Sequence, residues 1–129
     1  MVTGVILQEN YRTEIRTKKH QLIADEPVDL GGADTGMTPT ELLAAALIAC
    51  TNITLRMYAN RKEWPVEKIT TTVELKEQEQ GNTFIRNISI IGALETKQLD
   101  RLLVIANKCP VHKVLEQSST IETSLNSHG

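Results

Sequence analysis

The sequence predicts an α+β domain with the element order β-β-α-β-β-α-α-β. Three observations predict it. A stretch rich in Ile, Val, Thr and Tyr opens the chain. An Ala/Leu-rich apolar helix with a full N-terminal signal follows. Alternating apolar residues then give way to helical spacing. Strands and helices come in groups rather than in strict β-α-β alternation, which separates this order from a doubly wound α/β fold. The 129 residues suit one domain, 1–129.

The first two strands are read within 5–24, on either side of a polar break at Arg16-Thr17-Lys18-Lys19. Residues 25–38 hold Pro27, Gly31, Gly32, Asp34 and Gly36 and are a loop by composition. They read as a flexible connection that lets the next helix start in a buried position. Thr38-Pro39-Thr40-Glu41 then gives a hydroxyl at the N-cap, proline at the first helical position and glutamate at the third. That is a capping box. The helix runs from there to about residue 61, before Trp64-Pro65 stops it. Its first half is apolar on every side, which predicts burial all round. One domain of this length has difficulty covering such a helix alone, so a second copy of the chain is expected against it, as a homodimer.

A strand over 66–75, a turn over 78–82 containing Gly81-Asn82 and a returning strand over 84–91 follow. Leu99, Leu102, Leu103, Ile105 and Ala106 fall at helical spacing over 96–107. Cys109-Pro110 interrupts that helix, and a short one is expected over 110–117. Residues 120–125 alternate and are expected to close the sheet.

Composition narrows the function. Lys and Arg number 14 against 16 Asp and Glu, a formal net charge of −2. A sequence-independent nucleic-acid binder needs a basic excess, so that class is excluded. The aromatics are Tyr11, Tyr58, Trp64 and Phe84, too few for base or sugar stacking, and the core must be aliphatic. The longest unbroken apolar run, 42–50, is nine residues, whereas a membrane span needs about 20. No basic n-region or h-region opens the chain, and the expectation is a cytoplasmic protein with no membrane partner. In such a compartment Cys50 and Cys109 are thiols rather than a structural bridge.

Cys109 carries the most chemistry. It stands before Pro110, at the N-cap of the short helix, where backbone N–H groups of Val111 and His112 point at the sulfur. Lys108, His112 and Lys113 add positive groups. Both features favour thiolate. It reads as a reactive thiol or as a small buried hydrophobe that caps a helix. Cys50, within the apolar helix, reads as a packing residue unless a cation reaches it. Arg12 and Arg16 are the candidates, since Arg56 is nearly two turns away. Cys109-x-x-His112 is at most half a zinc site, and neither His20 nor His128 completes it. Gly31 to Gly36 has neither a dinucleotide fingerprint nor a phosphate loop, and there is no Gly-x-Ser-x-Gly elbow.

Taken together, Gly31-Gly32 with Asp34, Thr38-Pro39-Thr40-Glu41-Leu42-Leu43-Ala44-Ala45-Ala46, Cys50 and Cys109-Pro110-Val111-His112-Lys113 resemble the OsmC/Ohr family, the osmotically inducible and organic hydroperoxide resistance proteins. The resemblance covers nearly the whole chain. It implies an intertwined homodimer, with long central helices packed against β-sheets and active sites at the subunit interface. It also implies reduction of small organic hydroperoxides, with Cys50 as the peroxidatic thiol and Cys109 as the resolving thiol. An external dithiol reductant of lipoyl type resets the pair, and no cofactor or metal is required. By the same resemblance an arginine of the N-terminal hairpin serves Cys50, best matched by Arg16, with Arg12 as the substitute. In the peroxidase members a glutamate directly follows the helix-starting proline and holds that arginine. Here Thr40 occupies that position. Glu41, one residue on, is counted with the site, although the capping box also accounts for it. The alternative is a non-catalytic protein of the same fold that binds an apolar ligand at the dimer interface.

Overall fold

The computed structural model describes residues 1–128. Its elements are β1 (Thr3–Ile6), β2 (Thr13–Arg16), β3 (Gln21–Ala24), α1 (Pro39–Lys62), β4 (Val66–Lys76), β5 (Thr83–Gly92), α2 (Thr96–Ala106) and α3 (Pro110–Glu116), with a 3-10 turn at Val28–Leu30. The chain forms two compact units. One combines residues 1–46 with 72–86, and the other combines 47–71 with the chain from residue 87 onward.

In the first unit, β1, β2 and β3 make an antiparallel sheet in that order, with Thr3 opposite Arg16 and Thr13 opposite Ala24. The N-terminal stretch thus holds three strands where two were expected. Gln8-Glu9-Asn10 is a polar run of weak strand formers, and there the chain leaves the ladder before re-entering it at Thr13.

The glycine loop is a packed structure rather than a flexible connection. A Cβ on Gly32 would collide with the Glu26 carbonyl, and one on Gly36 with the Ile23 carbonyl. Asp25, only 2% exposed, organises the turn. Its carboxylate accepts from the backbone N–H of Glu26 at 2.7 Å, Thr35 at 3.1 Å and Tyr11 at 3.2 Å, and from the Thr35 hydroxyl. These donors hold the Asp25 carboxyl far below its ordinary value, with the Thr35 hydroxyl contributing most. Helix α1 then begins on the expected capping box. The Glu41 N–H donates to Thr38 Oγ1 at 3.3 Å, and the Thr38 N–H donates to Glu41 Oε1 at 2.9 Å.

The second unit holds the main core. Leu55, Tyr58 and Ala59 of α1, Val66 of β4, and Leu102, Ile105 and Ala106 of α2 form it, with Trp64, Ile69, Ile88, Ile90 and Leu94 packed around them. Strands β4 and β5 pair with each other. Polar links fix α1 to β4: Arg56 Nη1 donates to the Val66 carbonyl at 2.7 Å, and the Thr71 hydroxyl donates to Asn52 Oδ1 at 2.6 Å. Helix α2 starts with the Glu95 N–H donating to Gln98 Oε1 at 2.8 Å.

By length and composition α1 could cross a membrane, but its buried stripe makes it a core helix. That stripe is Leu47, Thr51, Leu55, Tyr58 and Ala59, at helical spacing. Within one chain the helix is therefore not buried all round. Leu43, Ala46, Ile53 and Met57 stay exposed, Ile53 at 55% and Met57 at 67%. The expected closing strand over 120–125 is also absent, since no regular element follows α3 among the described residues. Alternation there supplies only two apolar residues, Ile121 and Leu125, which are 86% and 94% exposed. With no neighbouring strand to pair with, the pattern does not become a ladder.

Candidate active site

Cys109 lies where the Cys-Pro step places it. Residues 107–109 leave α2 through bonds from the Lys108 N–H to Ile105 at 3.0 Å and from the Cys109 N–H to Ala106 at 3.3 Å. Pro110, with no N–H to lose, opens α3. Cys109 is the N-cap with an extended backbone, and its fully buried sulfur accepts from the His112 N–H at 3.3 Å. Of the two amides expected to face the sulfur, His112 is the one that makes the bond. The His112 ring contacts Glu116 Oε2 at 3.2 Å across one turn. Among the described residues no three His, Cys, Asp or Glu side chains gather to hold a metal ion.

Cys50 is half-buried on α1, and its sulfur is 4.0 Å from the hydroxyl of Thr54, one turn on. Both cysteines belong to the second unit and lie near each other. Fifty-eight intervening residues fold back to bring together two sulfurs that spacing alone could not place.

In the first unit the two candidate arginines converge on one carboxylate. Arg12 Nη1 is 2.9 Å from Glu14 Oε1, and Arg16 Nη2 is 3.3 Å from Glu14 Oε2. Both arginines lower the Glu14 carboxyl below its ordinary value, Arg12 more strongly. Sequence reading passed over Glu14, although the signal was present. Arg12, Glu14 and Arg16 follow each other at a spacing of two, which puts them on one face of an extended chain. Arg56 is committed to the Val66 carbonyl. Glu41 is held by the helix start, and the N–H and hydroxyl of Thr38 lower its carboxyl. Thr40, which follows the helix-starting Pro39, has its hydroxyl 3.5 Å from that of Thr38.

Residues 31–124 match the model of the family described as OsmC-like protein. Nothing among the curated proteins matches the chain. Among solved structures, it is similar to a Psychrobacter arcticus protein described as an osmotic stress induced and detoxification response protein. The identity is 24%, with 88% of this chain and 85% of the other covered and a TM-score of 0.76. An OsmC-like protein from Mycoplasma pneumoniae is 18% identical over 90% and 86% of the two chains, with a TM-score of 0.77. An organic hydroperoxide resistance protein OsmC from Legionella pneumophila is 23% identical over 88% and 86%, with a TM-score of 0.64. The α+β architecture, with its long central helix packed against a sheet, is thus the OsmC-like fold. On the family match and the fold, the chain belongs to the OsmC-like family, which includes organic hydroperoxide resistance proteins.

Proposed function

We propose that the protein is a cytoplasmic, homodimeric thiol peroxidase that reduces small organic hydroperoxides through Cys50 and Cys109. The observation that carries this reading is the pair of cysteines folded near each other, one of them buried with a backbone N–H aimed at its sulfur.

The Cys50 thiolate attacks the terminal peroxide oxygen. The S–O bond forms as the O–O bond breaks, and the alkoxide leaves as the alcohol after taking a proton. Cys50 becomes sulfenic acid. The Cys109 sulfur, where an N–H eases the build-up of negative charge, then attacks the Cys50 sulfur. A disulfide forms, and hydroxide departs as water on protonation. An external dithiol returns both thiols and is itself oxidised to a disulfide. Arg16, with Arg12 as the substitute, supplies the positive charge that a half-buried thiolate needs. Glu14 holds both guanidinium groups and takes over the task that the missing glutamate at position 40 performs in the peroxidase relatives. Glu41 secures the start of the helix that carries Cys50.

The dimer reading rests on the exposed side of α1. Leu43, Ala46, Cys50, Ile53 and Met57 follow at alternating steps of three and four, the spacing of a helix–helix seam. Cys50 lies on that seam, which puts the reacting sulfur at the subunit boundary. Thr40 favours a second reading, a non-catalytic protein of this fold holding an apolar ligand at the same boundary.

Steady-state turnover of cumene hydroperoxide with a lipoyl dithiol tests the proposal. Consumption is expected to require the dithiol and to vanish in Cys50→Ser. Wild-type protein that consumes no peroxide supports the binding reading instead.

A further inference from the structure

We infer that Thr54 is the hydrogen-bond donor that holds the Cys50 sulfur as a thiolate. The inference rests on the peroxidase reading, which gives Cys50 the attack on peroxide, and adds to it a donor carried by the same helix.

Helix α1 puts Thr54 four residues after Cys50, one turn on and on the same face. Both residues are half-buried. Two neighbouring threonines of this helix use their hydroxyls differently. Thr51, fully buried, turns its hydroxyl back to the Leu47 carbonyl at 2.6 Å. That is a common recourse of threonine inside a helix. Thr54 instead has its hydroxyl 4.0 Å from the Cys50 sulfur. In the thiol form either atom can be the donor. Once the thiol proton passes to solvent, the sulfur can only accept, and the hydroxyl becomes the donor. A neutral pair leaves this contact long, whereas a charge-assisted bond is shorter and about twice as strong. The hydroxyl therefore favours the ionised sulfur.

Arg12 and Arg16 belong to the first unit, but Thr54 and Cys50 share α1 and the second. One rigid helix fixes the hydroxyl against the sulfur, with no other segment needed to bring it there. During the attack the sulfur lone pair forms the S–O bond, negative charge passes to the leaving alkoxide, and the alkoxide takes a proton from water. Thr54 keeps its own proton throughout. Its donation has two opposed effects. It raises the thiolate fraction below the thiol pKa, and it lowers the nucleophilicity of each thiolate. A change of about one pKa unit is about tenfold in the first and about threefold in the second.

The experiment follows iodoacetamide alkylation of Cys50 from about pH 5 to about pH 10 in three full-length proteins. All carry Cys109→Ser, so that one thiol reacts: the parent, Thr54→Val and Thr54→Ser. Thr54→Val is expected to raise the midpoint by about one pH unit. It should react about threefold more slowly than the parent well below the midpoint and about threefold faster well above it. Thr54→Ser keeps the hydroxyl and is expected to follow the parent, with matching helical circular dichroism in all three. The hairpin arginines, Arg56 and His112 are the same in every protein, so the crossing of the two profiles reads the Thr54 hydroxyl. A merely structural effect shifts the rate in one direction at every pH. Coincident profiles for Thr54→Val and the parent, a shift without a crossing, or a Thr54→Ser profile that follows Thr54→Val overturns the inference. Alkylation needs no peroxide, so the two readings fail separately. Crossing profiles without peroxide turnover remove the peroxidase reading alone, and turnover with coincident profiles removes the Thr54 donor alone.

Discussion

Asp25 shows how much one side chain can decide. Four donors converge on its carboxylate, so the folded chain holds it ionised where an unfolded chain would take up a proton. Stability from this residue is therefore fully present above about pH 4 and drains away as pH falls further toward the depressed folded value. Urea midpoints measured from pH 6 down to pH 2 are expected to fall more steeply for wild type than for Asp25→Asn, which starts lower at pH 6 and narrows the gap in acid. Parallel profiles would contradict this. Glu14 makes a comparable prediction for activity. Glu14→Gln releases Arg12 and Arg16 and should lower kcat/KM on the order of tenfold, with an unchanged unfolding midpoint. At this scale legibility depended on local chemistry. Cys109 could be placed at a helix start because proline follows it. Asp25, beside Glu26 in a polar loop, carries no such local signal, because donors from Tyr11 and Thr35 reach it only once the fold collects them.

At the scale of elements, the helices were readable because their ends are written locally. The box at Thr38 and Glu41, Pro65 and the Cys109-Pro110 step delimit α1, α2 and α3 to within a residue or so of the expected bounds. Thr38→Ala should cost about 1 kcal/mol in chemical denaturation, since the Oγ1 acceptor for the Glu41 N–H is lost. Leu102→Ala, at 2% exposure in the α2 face of the core, should cost about 2–5 kcal/mol by the same measurement. Strands were less readable for a physical reason. Alternation states which face a strand would bury but not whether a partner exists. Residues 120–125 alternate without a neighbour, and 5–16 conceal a break that divides β1 from β2.

For the whole molecule, the apolar character of α1 on every side predicts more surface than one chain can cover, and within the chain the helix is buried on one stripe only. The stripe through Leu47, Leu55 and Tyr58 is covered by the chain itself, while the seam through Leu43, Ile53 and Met57 is not. Exposed apolar surface of this kind favours association. Sedimentation velocity at micromolar concentration is expected to give a dimer, and Ile53→Lys on the seam to give a folded monomer. A wild-type monomer at that concentration would remove the subunit boundary from the account. The family was legible from two cysteine contexts and one helix start. The nearness of the sulfurs was implied by the resemblance and not by spacing, because it arises from the chain path between them.

The redox claim meets its most direct test in thiol counting combined with intact mass, after one equivalent of cumene hydroperoxide and without reductant. The account predicts that wild type loses both thiols and the mass of two hydrogens. Cys109→Ser should stop at a Cys50 sulfenic acid, and Cys50→Ser should keep its remaining thiol. Two thiols persisting in the wild-type protein after peroxide would contradict it.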